Sequence, residues 1–238
     1  MARLVNIVNP DSLAGTLDAA NEAFVYGRSL SKSQREQAAR WIAGRQDRPG
    51  SYRGVMFAPT EDDFKQGIRL FTGERLRTRA GMAHVLGEEA CRALILLDAP
   101  VSAARDALNR ASAGMTAILQ KTAGGYTWRE RPGEYCCGRC TAALWRHLAV
   151  GGLSDADPER WLVAGMKVLT SHRDGDGRWR RFPFYYTLLA LSEIDLPSAI
   201  KEMRYAAPVC ERHLKQSPKD EAIVRRRRLV AERILARL

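Results

Sequence analysis

Gln46-Asp47-Arg48-Pro49-Gly50-Ser51-Tyr52 and Gln120-Lys121-Thr122-Ala123-Gly124-Gly125-Tyr126 carry Gln, Gly and Tyr at the same internal offsets. A third stretch, Arg173-Asp174-Gly175-Asp176-Gly177-Arg178-Trp179, keeps the Gly-x-aromatic end and lacks the Gln. Self-similarity of this kind points to a repeat architecture, which outweighs the reading of any single helix. Glycine lets the chain leave a helix in a left-handed conformation, and the aromatic ring is expected to pack over the helix end it has just left. A Gln at that place can cap or bridge backbone groups of the neighbouring repeat.

Working outward, helical signals flank each copy. Ser33 with Glu36 three residues later reads as a capping box before Ala38, Ala39, Trp41 and Ile42, with an end near Gly44. Thr60 with Asp63 starts a second helix that leads into Phe64, Ile68, Leu70 and Phe71. Further helices fit 79–97, 101–119, 137–150, 158–169, 182–191, 197–214 and 221–238. Strand-like alternation is sparse, and 51–57 and 126–129 read as loops or short ribbons. The expectation is an all-α chain of α-hairpin repeats in a single domain, 1–238, with repeats at roughly 33–97, 101–150 and 158–195 and basic C-terminal helices at 197–238. The helices after each signature align Cys91, Cys140 and Tyr186, which would then face one shared concavity, the usual form of a ligand pocket.

These residues resemble the α/α-toroid superfamily of terpenoid cyclases and protein prenyltransferase β-subunits, whose repeats carry a Gln, an Asp/Gly-Gly pair and an aromatic before an inner helix. Gly124-Gly125-Tyr126-Thr127-Trp128 with Gly138-Arg139-Cys140-Thr141-Ala142-Ala143-Leu144-Trp145 looks like the prenyltransferase segment entering its zinc-bearing helix. Phe184-Tyr185-Tyr186-Thr187-Leu188-Leu189-Ala190-Leu191 is similar to the segment supplying that family's histidine ligand. The resemblance implies a partial α/α-toroid-like arc that holds an apolar ligand, isoprenoid or phosphorylated, among its inner helices. The departures bear on activity. The family's Asp-x-Cys and His ligands correspond here to Gly138-Arg139-Cys140 and Tyr186, so only the cysteine remains. The acidic motif of the protonating cyclases is absent, and Asp174-Gly175-Asp176-Gly177 sits at a turn, where Asp and Gly serve backbone geometry. A full toroid needs more hairpins than 238 residues supply, which implies an open arc or closure by a partner or second copy.

Composition bounds the remaining possibilities. With 45% apolar residues the chain can fill a substantial core, and no apolar stretch reaches the roughly 20 residues of a membrane span. The first ten residues make a poor signal peptide, and five cysteines in a chain of this size point to reduced thiols and the cytoplasm. The net charge of +11 and pI near 9.8 favour nucleic acid, an anionic surface or a phosphorylated ligand as partner, unless the charge is spread over helix faces. Nucleic acid or a protein partner gripped by a basic helical scaffold is thus the alternative function. The C-terminal helix sets Leu229, Val230, Ile234, Leu235 and Leu238 against Arg225 to Arg228, Arg233 and Arg237, and either docks on the body or meets a partner.

Three constellations could hold a ligand or metal. Cys137 and Cys140 form a Cys-x-x-Cys at a helix start, where free N–H groups lower a thiol's pKa, and His147 falls on the same face. Zinc there would need a fourth donor from Cys136, Glu134, His172 or His84; dithiol redox chemistry and plain burial are the other readings. His84, Glu88 and Cys91 are spaced to share one helix face. Arg178, Trp179, Tyr185 and Tyr186, with Arg173, Arg180, Arg181 and Phe182, form the densest arginine and aromatic mixture, suited to a phosphate or diphosphate ester. No triad or paired-acid motif assigns a catalytic residue.

Overall fold

The chain reaches its first helix through Asn9, whose side chain and carbonyl prepare the turn into Ser12, the N-cap of α1 (Leu13–Val25). The structure, a computed structural model, describes residues 6–120, 122–123, 126–127, 132–216 and 221–238. Among the described residues are ten α-helices and two two-stranded ribbons, so the chain is all-α as expected. Its contacts divide it into two compact units. One is drawn from residues up to Leu70, Arg75–Ile118 and Val150–Leu153, the other from Phe71–Glu74, Leu119–Ala149 and Ser154–Leu238.

In the first unit, α1 and α2 (Lys32–Ala43) pack against α4 (Arg79–Leu97), with the short α3 (Glu61–Gln66) and α5 (Ser102–Gln120) completing the set. A helix apolar around most of its circumference is buried on most sides. Accordingly α4 buries Val85, Leu86, Ala90, Cys91, Leu94 and Leu97, and its boundaries match the sequence expectation. Two expectations are corrected here. The N-cap of α2 is Ser31 with Gln34, not Ser33 with Glu36, because the two-way capping box closes on the earlier pair. The helix from Thr60 stops at Gln66, where Gly67 takes φ +74°, and Ile68–Arg69 pairs with Arg75–Leu76 as a ribbon, β1 with β2. Ile68, Leu70 and Phe71 therefore reach their interiors from extended chain.

Asp63 ties α1 to α3. It is buried, accepts from the Ser12 hydroxyl at 2.5 Å and the Leu13 N–H at 2.9 Å, and also accepts from the Thr60 N–H of its own capping box at 2.9 Å. One carboxylate thus finishes two helix N-termini whose N–H groups lack intrahelical partners. Gln46 does what its place in the repeat suggested, donating to the carbonyls of Ala107 at 2.7 Å and Val55 at 3.3 Å. Tyr52 does not cover the helix end before it. Its ring stacks on His84 of α4 at 4.2 Å.

In the second unit, α6 (Gly138–Ala149) packs on α7 (Pro158–Ser171) and α8 (Phe184–Leu191), while α9 (Pro197–Lys215) and α10 (Ala222–Ala236) pack on each other and on α8. Of the second signature, Thr122–Ala123 pairs with Tyr126–Thr127 as β3 and β4, while Gly124, Gly125 and Trp128 lie outside the described residues. In the third, Arg173 bridges to Trp179 and Asp174 accepts from the N–H groups of Asp176 at 2.8 Å and Arg178 at 3.0 Å, so the acidic run is a turn. All three signatures follow a helix and reverse the chain through antiparallel pairing, Gln46 doing so with Phe57. No helix among the described residues is long and apolar enough to cross a membrane.

The C-terminal helix α10 docks on the body through Val230, Ala231 and Ile234. Of its arginine run, Arg225 is exposed and the next three turn inward. Arg226 to Arg228 are half-buried and donate to the carbonyls of Phe71, Thr72, Leu214 and Gln216.

Losing the double cap should be felt by the whole first unit. Asp63→Ala is expected to lower unfolding free energy by about 2–4 kcal/mol, with Asp63→Asn retaining part of it, as read by urea denaturation followed by far-ultraviolet circular dichroism.

Candidate functional site

Two clusters in the second unit combine reactive or charged groups, and each is placed by how a helix end is finished. The first lies at the start of α6. Ahead of it the chain is held at two points: the Trp145 indole donates to the Gly133 carbonyl at 2.9 Å, and the Tyr135 N–H donates to the Thr141 hydroxyl at 3.0 Å. Cys137 is the N-cap, its carbonyl accepting from Thr141 at 2.8 Å and its sulfur accepting from the Cys140 N–H at 3.5 Å. Sulfur hydrogen bonds join Cys136, Cys137 and Cys140, and the Cys136 and Cys140 sulfurs lie within 4.8 Å of each other.

The three thiols share one proton economy. The hydrogen bonds from Cys136 and Cys140, with the N–H groups of the first turn, pull Cys137 down to about 2 and favour its thiolate over that of its neighbours. Cys136 is pushed up to about 11, chiefly by donating to that thiolate, and Cys140 is pushed far higher by the same two neighbours and by burial. Cys136 is exposed, Cys137 half-buried and Cys140 buried. His147, expected to join them, is fully buried in α6 seven residues beyond Cys140, about 10 Å along the helix. The third member brought to the pair is Cys136, which the run Cys136-Cys137-x-x-Cys140 could have signalled.

The second cluster gathers around Tyr185 of α8. Arg178 lies 4.5 Å over Phe184, Phe184 sits edge-on to Tyr185 at 5.1 Å, and Arg227 of α10 lies 4.7 Å over the Tyr185 ring. His213, near the end of α9, meets Tyr185 at 5.3 Å, and its buried Nε2 has no hydrogen-bond partner. Burial, then the charges of Arg228, Arg227 and Arg178, lower the His213 pKa and keep the ring neutral. Burial raises the Tyr185 phenol, which Arg227 and Arg178 partly offset. Among the described residues Arg227 and Arg228 donate only to carbonyls, and Arg178 makes no side-chain hydrogen bond or ion pair. The carboxylate that acts on Tyr185, Glu74, accepts from the Tyr186 N–H at 3.2 Å and from the Thr72 hydroxyl. Nothing local in the sequence links Arg227, Arg228 and His213 to Tyr185, because the fold alone brings their helices to Arg178 and Tyr185.

The other predicted ligand residues are placed in packed interiors. Trp179 is buried and donates to Glu202 at 2.8 Å; Glu202 also accepts from Thr170 at 2.6 Å and Arg173 at 2.9 Å. Tyr186 is fully buried with the Arg146 guanidinium 5.6 Å over its ring, and Arg146 forks onto Glu193 with two contacts of 2.9 Å. In the first unit, His84 and Glu88 are buried with 3.3 Å between Nε2 and Oε1. Cys91 is buried one turn beyond Glu88, and burial followed by that carboxylate's charge raises its pKa, which makes it an inert thiol.

No family model, no curated protein and no solved structure matches the chain. The toroid resemblance therefore rests on the quoted residues alone.

The unequal thiols predict a selective label. In the metal-free, reduced chain, iodoacetamide at about pH 5 should alkylate Cys137 and spare Cys136 and Cys140, although Cys136 is more exposed, because ordinary thiols with pKa about 8.5 are protonated there. Peptide mapping by mass spectrometry reads the site, and Cys137→Ser should abolish the labelling.

Proposed function

We propose that this chain is a binding protein for a phosphate-bearing ligand, held at the cradle of Arg178, Arg227, Arg228, Tyr185 and His213. The observation that carries this reading is that Arg227 lies over the Tyr185 ring and Arg178 over the adjoining Phe184, that these two and Arg228 all act on His213, and that none of the three makes an ion pair among the described residues. Bringing like charges together costs free energy, and an anion with several oxygens offsets that cost while accepting from the guanidinium N–H groups. The Tyr185 hydroxyl supplies a further hydrogen-bonding group for phosphate oxygens. Neutral His213 can take up a proton once the bound anion cancels the arginine field.

Arg178 is exposed, so the cradle opens to solvent and the remainder of the ligand can extend past Phe184 and Tyr185. An apolar or isoprenoid tail on that phosphate is the part of the proposal drawn from the toroid resemblance. Free phosphate esters suit this geometry better than a nucleic-acid backbone. The basic run of α10 is turned inward to carbonyls and does not present a continuous charged stripe.

Calorimetric titration of the full chain with inorganic pyrophosphate at low salt tests the reading. Saturable binding to one site is expected, weakened about tenfold or more by Arg178→Ala, which removes charge-assisted hydrogen bonds to the ligand and, within the chain, the stacking on Phe184. Geranyl diphosphate binding more tightly than pyrophosphate would support the apolar tail, and equal affinities would remove it. Absence of saturable pyrophosphate binding up to millimolar ligand, or an unchanged affinity in Arg178→Ala, would overturn the proposal.

A further inference from the structure

We propose that Cys136, Cys137 and Cys140 form a metal centre that takes one zinc ion through their three sulfurs. None of these residues belongs to the anion cradle, so the inference stands apart from the proposed function.

The argument begins with how unlike the other cysteines these three are. Cys91 and Cys210 are single thiols buried in helix interiors, each with its pKa raised first by burial, which is how cysteine behaves as a small core residue. The Cys136 and Cys140 sulfurs lie within 4.8 Å of each other, the Cys137 sulfur accepts from the Cys140 N–H at 3.5 Å, and Cys136 is exposed, so burial of an apolar group does not explain their meeting. A Cys-x-x-Cys entering a helix puts two sulfurs on one side of its first turn, and the preceding cysteine closes the triangle from the solvent side. The chain ahead of the helix is pinned at Gly133 and Tyr135, so the triangle is set before any ion arrives.

The donor set selects the ion. Thiolates are soft ligands, which favours zinc over the hard cations that take oxygen. Iron–sulfur clusters are held by four cysteines, one more than is gathered here. Zinc takes about three protein donors or more, and three sulfurs supply that number. Binding forms zinc–sulfur bonds, and each protonated thiol that joins gives its proton to solvent, so affinity rises with pH. The N–H groups of the first turn already favour negative charge at Cys137. A dithiol redox role would involve only Cys137 and Cys140, with Cys140 buried away from any partner disulfide, and leaves Cys136 without a purpose.

The test uses the full chain, purified under reducing conditions, freed of metal and titrated with cobalt(II) and then zinc(II). One equivalent of cobalt should produce thiolate-to-cobalt charge-transfer absorption, which zinc then bleaches. Cys136→Ser, Cys137→Ser and Cys140→Ser should each weaken binding at least about tenfold, while Cys210→Ser leaves it unchanged. Circular dichroism checks the fold of each variant, and exposed Cys136→Ser keeps the test decisive if Cys140→Ser fails to fold. The proposal is overturned if cobalt gives no charge-transfer band in a chain whose thiols all react with a disulfide reagent. It is equally overturned if Cys136→Ser binds as tightly as the parent, or if copper(I) binds stoichiometrically and zinc does not.

Discussion

The first turn of α6 can exist where it does only because residue 138 has no side chain. A Cβ on Gly138 would sit far inside van der Waals contact distance of the Arg181 carbonyl oxygen and 2.9 Å from the Phe182 Cα. The helix start is thereby pressed onto the chain leading into α8, and seven residues later Trp145 stacks on the Phe182 ring at 5.5 Å. Two contacts, one of backbone and one of rings, fix the rotation and the axial position of α6 together. Gly165 repeats the device on the other side, since a Cβ there would lie 2.5 Å from the Trp145 indole nitrogen. With α6 so clamped, the N-cap thiol and the thiol one turn along have no freedom to separate, which is why sulfurs of different burial still share hydrogen bonds.

The same economy governs the positive charge. A helix ends with carbonyls that have no intrahelical partner, and here arginines from other segments supply the donors. Arg35 donates to the Leu97 carbonyl at the end of α4, Arg228 to that of Leu214 near the end of α9, and Arg237 to that of Ser192 just past α8. Arg45 donates to Ala58 and Pro59. Much of the formal +11 is thus internal carpentry. Net charge read from composition overstates the surface available to an extended anionic partner, and what distinguishes Arg178 is that it has no such employment.

The sequence made legible whatever local chemistry decides. The Thr60 and Asp63 capping box, the limits of α4 and the turn at Asp174 to Gly177 all follow from residues within one or two turns of each other. What escaped it depends on long separations or on polar groups inside a core. The helix α1 lacks a clear sequence signal because Thr16 and Asn21 interrupt the apolar pattern of its buried face, and the Asp63 carboxylate that caps it is 50 residues away. Asn21 belongs inside because it donates to Glu89 at 3.1 Å and accepts from Arg92 at 2.9 Å, a polar network that no periodicity reveals. The site divided in the same way: the cysteine run is visible as a local motif, whereas the cradle joins α8, α9 and α10 and exists only in the fold.

The two clusters make opposite electrostatic arguments from one principle. At the start of α6, one negative charge shared among three sulfurs is stabilised by the helix's own N–H groups, and adding a second thiolate beside it is opposed, which is why Cys136 and Cys140 hold their protons. A cation removes that opposition. Around Tyr185, positive charge is concentrated beyond what the local backbone carbonyls absorb, and the imidazole that would add to it stays neutral. An anion removes that one. A fold stabilised only for its own sake would separate like charges, since each unpaired group near another of its sign weakens the native state and gains nothing in return. That both concentrations occur in one unit, and that each is exposed on one side, follows if their counter-charges come from solution.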